Sequence, residues 1–155
     1  MVGPRKSFAG GAGLTSTAHD DARFLEMIRK GGALGGVRIL APRTVALMTT
    51  NQSGTLHSTT GLGFGLVFQT VDRYGAAGLA SVGSYNWGGA YGSNYRVDPT
   101  GRPVMVMMIQ LMPSASDTVG KFPTPVYQAL MADPRPGTEW RADRARGEGD
   151  ARRGL

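Results

Sequence analysis

Apolar positions follow two different periods along this chain. From Thr17 to Lys30 they recur at helical spacing, with Ala22, Phe24, Leu25 and Ile28 forming one stripe. Thr17 is placed to cap this helix, Asp20 to reach back to the cap, and Asp21 to add charge to the first turn. Gly31-Gly32 marks the stop. A short strand or turn, Val37-Arg38-Ile39-Leu40, leads to a second helix opened by Pro42 at its first position. Ala41, the residue that should cap it, has no side-chain oxygen, which weakens the start by about 1 kcal/mol.

Beyond a polar loop from Asn51 to Thr60 the period changes. Gly61 to Phe68 reads as a strand with Phe64, Leu66 and Phe68 alternating onto one face, and Asp72-Arg73-Tyr74-Gly75 turns the chain. Gly83 to Leu111 is the stretch around which the rest is organised. It divides into two strand-like halves at Asp98-Pro99-Thr100-Gly101, a turn signal. The first half carries Trp87-Gly88-Gly89-Ala90-Tyr91-Gly92, where missing side chains admit a ligand or another backbone. The second, Val104 to Leu111, is almost unbroken in its apolarity, as suits a strand covered on both faces near the middle of a sheet. A polar loop after Pro113 precedes a terminal helix from Pro123 to Met131. The expected fold is α/β of the α+β type. Antiparallel strands near 61–71, 79–97 and 103–112, three or more in number, are flanked by helices near 17–30, 42–50 and 123–131.

Composition narrows this picture. One domain over residues 1–131 is expected, followed by a charged tail at 132–155 that buries too little surface to order itself. With no cysteine, neither disulfides nor thiolate metal sites are available, and no metal or cofactor is expected. The net charge of +6 is diffuse, since residues 1–131 hold 11 basic against 6 acidic groups and the tail 6 against 5. No basic block or helical face with interleaved aromatics is present, so nucleic acid is not an expected partner. No 18-residue apolar run suggests a membrane span. Met1 to Lys6 leads into no apolar signal region, so the chain as written reads as cytoplasmic and without an export signal.

Few residues offer chemistry by motif alone. The glycines at 3, 10, 11 and 13 lack the Lys-Ser/Thr and the preceding strand of a phosphate loop and read as a connection. His19, beside two carboxylates, reads as a solvated surface group, and His57 sits in the polar loop.

A family resemblance enters at NWGGAYG, the following strand, VDPTG and the apolar strand after it. This order resembles the C-terminal part of the serine β-lactamase-related hydrolases, which include class C β-lactamases, DD-peptidases and related esterases. FAGGAGLTSTAHDDARFLEMIRKGG and GVRILAPRTVALMTTNQ resemble the family as well, so the likeness runs from about Phe8 to Leu130. Trp87-Gly88-Gly89 matches the Trp-x-Gly form of the motif that lies on the family's active-site strand. The resemblance implies that the backbone N–H of Ala90 is one oxyanion donor, and that Trp87, Gly88 and Gly89 bind substrate, with Tyr85, Tyr91 and Asn94 as walls. It implies an ester, β-lactam or peptide as the parent enzyme's substrate.

The same resemblance exposes what these residues lack. The family's nucleophile is the serine of Ser-x-x-Lys, yet none of Lys6, Lys30 and Lys121 follows a serine at that spacing. Thr118-x-x-Lys121 has the wrong residue at the wrong end, and Tyr-x-Asn is absent. Ser84-Tyr85-Asn86 matches Ser-x-Asn by letter only, because it abuts Trp87-Gly88-Gly89. Losing nucleophile and base costs on the order of 10⁶ in turnover, far more than one oxyanion donor returns. The leading reading is therefore a hydrolase C-terminal segment, inactive alone. The family pairs the strand matching Val104 to Leu111 with an N-terminal strand, so that edge is expected to be unpaired and to invite the missing N-terminal half or self-association. The alternatives are a small hydrolase using Ser84 or Ser93 with His57 or His19, and a non-enzymatic binding module using the Gly/Trp/Tyr surface at 83–95.

Overall fold

A computed structural model describes residues 14–113 and 115–131. The tail from 132 and most of the glycine-rich start, both read above, lie outside the described residues. Within them, helix α1 (Ala18–Arg29) and a two-stranded hairpin of β1 (Ala33–Leu34) and β2 (Val37–Arg38) precede helix α2 (Pro42–Thr49). Five strands follow: β3 (Leu62–Phe64), β4 (Gln69–Val71), β5 (Tyr85–Gly88), β6 (Asn94–Val97) and β7 (Val104–Met107). They form one antiparallel sheet in the order β3-β4-β5-β6-β7. Helices α3 (Thr118–Lys121) and α4 (Pro123–Met131) close the described chain.

The helix ends follow their local chemistry. Thr17 Oγ1 accepts from the Asp20 N–H at 3.2 Å, while the same hydroxyl donates to the Asp20 carboxylate at 2.9 Å. Asp20 thus returns to the cap side chain rather than to its backbone. At the other end the Gly31 N–H reaches Ile28 O and the Gly32 N–H reaches Met27 O, a Schellman closure that both left-handed glycines permit. Leu25, Met27 and Ile28 face the core, and Phe24 of the expected stripe is exposed instead. Ala41 takes the extended cap conformation without a side-chain hydrogen bond, and Pro42 opens α2.

The strand pattern differs from the sequence reading in three places. Gly61 to Phe68 is not one strand. It turns at Gly65, whose N–H bonds to Phe68 O at 2.8 Å, so Leu66 sits exposed in the turn while Phe68 enters the core. A Cβ on Gly65 would collide with the Met48 carbonyl at the end of α2, so glycine there lets the hairpin lie against that helix. The first half of the 83–111 stretch is itself a hairpin, β5 and β6 in register Tyr85↔Val97 and Trp87↔Tyr95. Val104 to Leu111 is strand only as far as Met107, and β7 stands at an end of the sheet instead of its middle.

Both sheet faces are covered, one by each helical layer. Tyr85, Val97, Val104, Tyr95 and Val106 pack with Phe68 against Leu25, Met27 and Ile28 of α1 and Val45 of α2. Val71 and Met105, on the opposite face, meet Ala80, Phe122 and Tyr127. The Asp98 carboxylate ties this second layer together. It is fully buried and accepts from the N–H groups of Ser81 (3.0 Å), Thr100 (3.0 Å) and Gly101 (2.8 Å) and from the Tyr127 hydroxyl (3.0 Å). Burial raises its pKa. The Gly101 and Ser81 N–H groups and the Tyr127 hydroxyl outweigh that effect and hold it below the usual carboxylate range.

The two sheet edges are unlike. Along β3, Phe64 O accepts from the Gln52 and Ser53 N–H groups, and its N–H donates to the Asn51 and Ser53 side chains. Both outward backbone groups of Phe64 are thus occupied. Along β7 the Asp98 N–H bonds to Pro103 O, which fixes the alternation so that Met105 and Met107 bond to β6. Val104 and Val106 then turn their backbone groups to the free side. Among the described residues β7 pairs with β6 alone.

Two measurements test this account. Ala41→Ser supplies the missing cap, and urea unfolding should show about 1 kcal/mol of added stability at unchanged slope. Asp98→Asn places an amide donor against existing donors and should cost about 2 kcal/mol at neutral pH. Because the folded Asp98 pKa is depressed, its stabilisation is present above the unfolded value of about 3.9 and is lost as pH falls through the folded one. The gap between wild type and Asp98→Asn should therefore stay constant above about pH 5 and narrow below about pH 4.

Candidate functional site

The register of β5 to β7 assembles one end of the sheet. β5 ends at Gly88, opposite Asn94, which in turn lies opposite Met107. The turn between β5 and β6 is closed by the Gly89 N–H on Ser93 O (2.8 Å) and the Gly92 N–H on Gly89 O (3.0 Å). It is also tied to the segment after β7. Ser93 Oγ donates to Ile109 O at 2.9 Å and accepts from the Ile109 N–H at 3.2 Å, and the Leu111 N–H bonds to Tyr91 O at 3.0 Å. The Ala90 N–H, at the exposed tip of this turn, has no hydrogen-bond partner among the described residues. A fixed turn with a free donor is a preorganised one.

Beside this turn lies an open cavity of about 270 Å³, lined by Gly88, Gly89, Asn94, Tyr95, Val106 and Met107, with Asp21 of α1 at its rim. Burial, and then the Asp21 charge, push the Tyr95 hydroxyl up to about 12, so at neutral pH it donates and does not act as a base. The cavity wall is thus largely apolar, with one amide, one phenol, one carboxylate and the Ser93 hydroxyl that Ile109 engages.

On the other flank of β5 the surface is aromatic. Phe64 meets Trp87 edge to face, with ring centroids 4.8 Å apart at 85°, and His57 lies 5.2 Å from Phe64. Trp87 keeps 43% of its surface exposed. Leu66, Val67, Tyr91, Met108 and Leu111 are also exposed in the turns at this end of the sheet.

The residues expected at the site divide into three groups. Gly88, Gly89 and Asn94 come together around the cavity, whereas Trp87, Ala90 and Tyr91 are exposed next to it without lining it. Tyr85, expected as a wall, is a core residue, 2% exposed and packed on Phe68 under α1. Burial raises its hydroxyl far above the ordinary tyrosine value. Trp87 and Gly88 end the central strand β5, and Gly89 and Ala90 follow in the turn. Ser84 is fully buried and the Ser93 hydroxyl is occupied by Ile109, so neither presents a free nucleophile. Among the described residues no three His, Asp or Glu side chains converge as a metal site.

Sequence reasoning missed Asp21 and the place of Tyr95 in the cavity wall, and it considered Ser93 only as a nucleophile and not as the tie to Ile109. The hairpin register places Tyr95 and Ser93 once the turn at 89–93 is recognised. Asp21 reaches the site only through the packing of α1 on the sheet, which no local pattern encodes.

Comparison with known proteins bears on the family and the fold. A family model described as Beta-lactamase matches residues 2–124. Protein Rv1367c of Mycobacterium tuberculosis strain H37Rv is 34% identical over 128 residues, covering 74% of this chain and 32% of that protein. The uncharacterized protein MT1414 of Mycobacterium tuberculosis strain CDC 1551 matches to the same extent. The chain thus spans about a third of the length of these curated relatives. Among solved structures, EstCE1, a hydrolase with promiscuous acyltransferase activity, superposes with a TM-score of 0.57 at 28% identity, over 73% of this chain and 29% of its own.

The exposure of Trp87 is directly measurable. In a Trp140→Phe background, so that one indole remains, acrylamide should quench the emission readily. Phe64→Ala should steepen the quenching by removing the edge contact. A shielded indole would place Trp87 in the core instead.

Proposed function

The chain belongs to the beta-lactamase family, and on that premise we propose that it supplies the oxyanion side of an acyl-transfer hydrolase. The observation that carries this reading is the free Ala90 N–H on a turn fixed by Ser93 and Ile109, directly after Trp87-Gly88-Gly89 and beside an open cavity. A backbone donor so held needs no reorganisation when charge develops on a carbonyl oxygen, and one such donor is worth about 3–4 kcal/mol in the transition state. The nucleophile and its base come from a segment carrying Ser-x-x-Lys, a motif not found in these 155 residues. That segment seats against the apolar end of the sheet and the free edge of β7. Alone, this chain binds but does not turn over an ester, β-lactam or peptide.

The small-hydrolase alternative loses support from the burial of Ser84 and the engagement of Ser93. The binding-module alternative draws support from the exposed Trp87 and Tyr91 and separates from the hydrolase reading by turnover.

The test is complementation. Residues 1–131 alone should show no p-nitrophenyl ester hydrolysis above background, and light scattering should show a mass above the monomer's through pairing at β7. Addition of the complementary Ser-x-x-Lys half should restore turnover. Ala90→Pro, which removes the donor N–H, should lower restored turnover by about 10²–10³ while the halves still associate. Hydrolysis by the chain alone that is lost on replacing Ser84 or Ser93 would overturn the proposal.

A further inference from the structure

The aromatic surface on the β3–β4 flank of β5 has more order than incidental packing requires. Asn86 Nδ2 donates to Gln69 Oε1 at 3.3 Å, which orients the Gln69 amide so that its Nε2 faces His57 Nε2 at 3.0 Å. The His57 ring, otherwise on an exposed loop, is thereby held over Phe64. Phe64 is held in turn, because its N–H is bonded by the Asn51 and Ser53 side chains and its ring edge meets Trp87. Three rings from a loop, an edge strand and the central strand are thus fixed in one row and remain open to solvent at both ends. Rings of this kind present faces and edges to which a flat π-system stacks with a defined geometry, unlike a saturated group of the same size.

The row ends at Trp87, three residues before Ala90, and the cavity lies on the opposite flank of the same strand. A carbonyl held at the Ala90 N–H therefore has the cavity on one side and the rings on the other. We propose that His57, Phe64 and Trp87 form a subsite for an aryl group attached to the scissile carbonyl or its leaving oxygen, selecting aryl over alkyl esters. This rests on the hydrolase reading for the carbonyl's position, but the subsite acts in binding and needs no nucleophile.

The experiment follows the Trp87 indole N–H by ¹⁵N NMR in the full chain, assigned with Trp140→Phe, during titration with phenyl acetate and with cyclohexyl acetate. Phenyl acetate should half-saturate the shift at roughly three- to tenfold lower concentration, the preference expected of aromatic stacking beyond burial. Phe64→Leu, which keeps apolar volume, and His57→Gln, which keeps a hydrogen-bonding group beside Gln69, should each bring the ratio toward one with the remaining spectrum unchanged. Equal half-saturation in the unaltered chain, no shift with phenyl acetate, or a ratio that survives both substitutions would overturn the subsite. A preserved ratio with no turnover in the complemented protein would sustain the subsite and refute the hydrolase reading. Turnover without the ratio would do the reverse.

Discussion

Much of this fold hangs on one buried carboxylate. Asp98 opens the turn between β6 and β7, and its two oxygens collect donors from that turn, from the loop before β5 and from α4. A charge taken out of water is tolerable only when its lone pairs are filled, and here four donors fill them. The consequence is positional. The β6–β7 hairpin, the Ser81 backbone and the Tyr127 ring are fixed relative to one another, so the far end of β7 reaches the β5–β6 turn in a set register, where Ile109 meets Ser93.

The two ends of the sheet have divided the work of structure and chemistry between them. The Asp98 end is internally satisfied and polar where it must be. The Gly88 end carries the free Ala90 donor, the cavity and a surplus of exposed apolar side chains. Its titratable groups are few: the Tyr95 phenol held protonated by burial and the Asp21 charge, that carboxylate, the exposed Tyr91 and His57 on the aromatic flank. On the proposed reading, such an environment polarises and orients a carbonyl. On that reading the attacking group comes from the Ser-x-x-Lys segment.

How far the sequence disclosed this depends on the kind of signal. Helix ends written in short-range chemistry, such as Thr17, Gly31-Gly32 and Pro42, were legible, as was the Asp98-Pro99-Thr100-Gly101 turn. The strands were less so, because helices cover both faces and alternation is lost. Val104 to Leu111 reads as a central strand for that reason, although α1 and α4, not neighbouring strands, cover it. Phe64, Leu66 and Phe68 look like one alternating face because nothing local announces the turn at Gly65, whose cause is the approach of α2. At the site, the glycines and Asn94 follow from the motif and the register. Tyr85 misleads because an aromatic next to a glycine-rich motif looks the same in sequence whether it points outward or into the core.

The unequal edges have a consequence for assembly. A sheet with two open edges has a valence of two and can add copies without limit, which is the geometry of a fibre. Here residues 51–53 occupy the outward backbone groups of Phe64 on the three-residue β3, whereas among the described residues β7 meets β6 alone. A strand added beside β7, from the same polypeptide or from a twin related by a twofold axis, would leave an opposite edge that is obstructed at Phe64 and does not repeat the open geometry of β7.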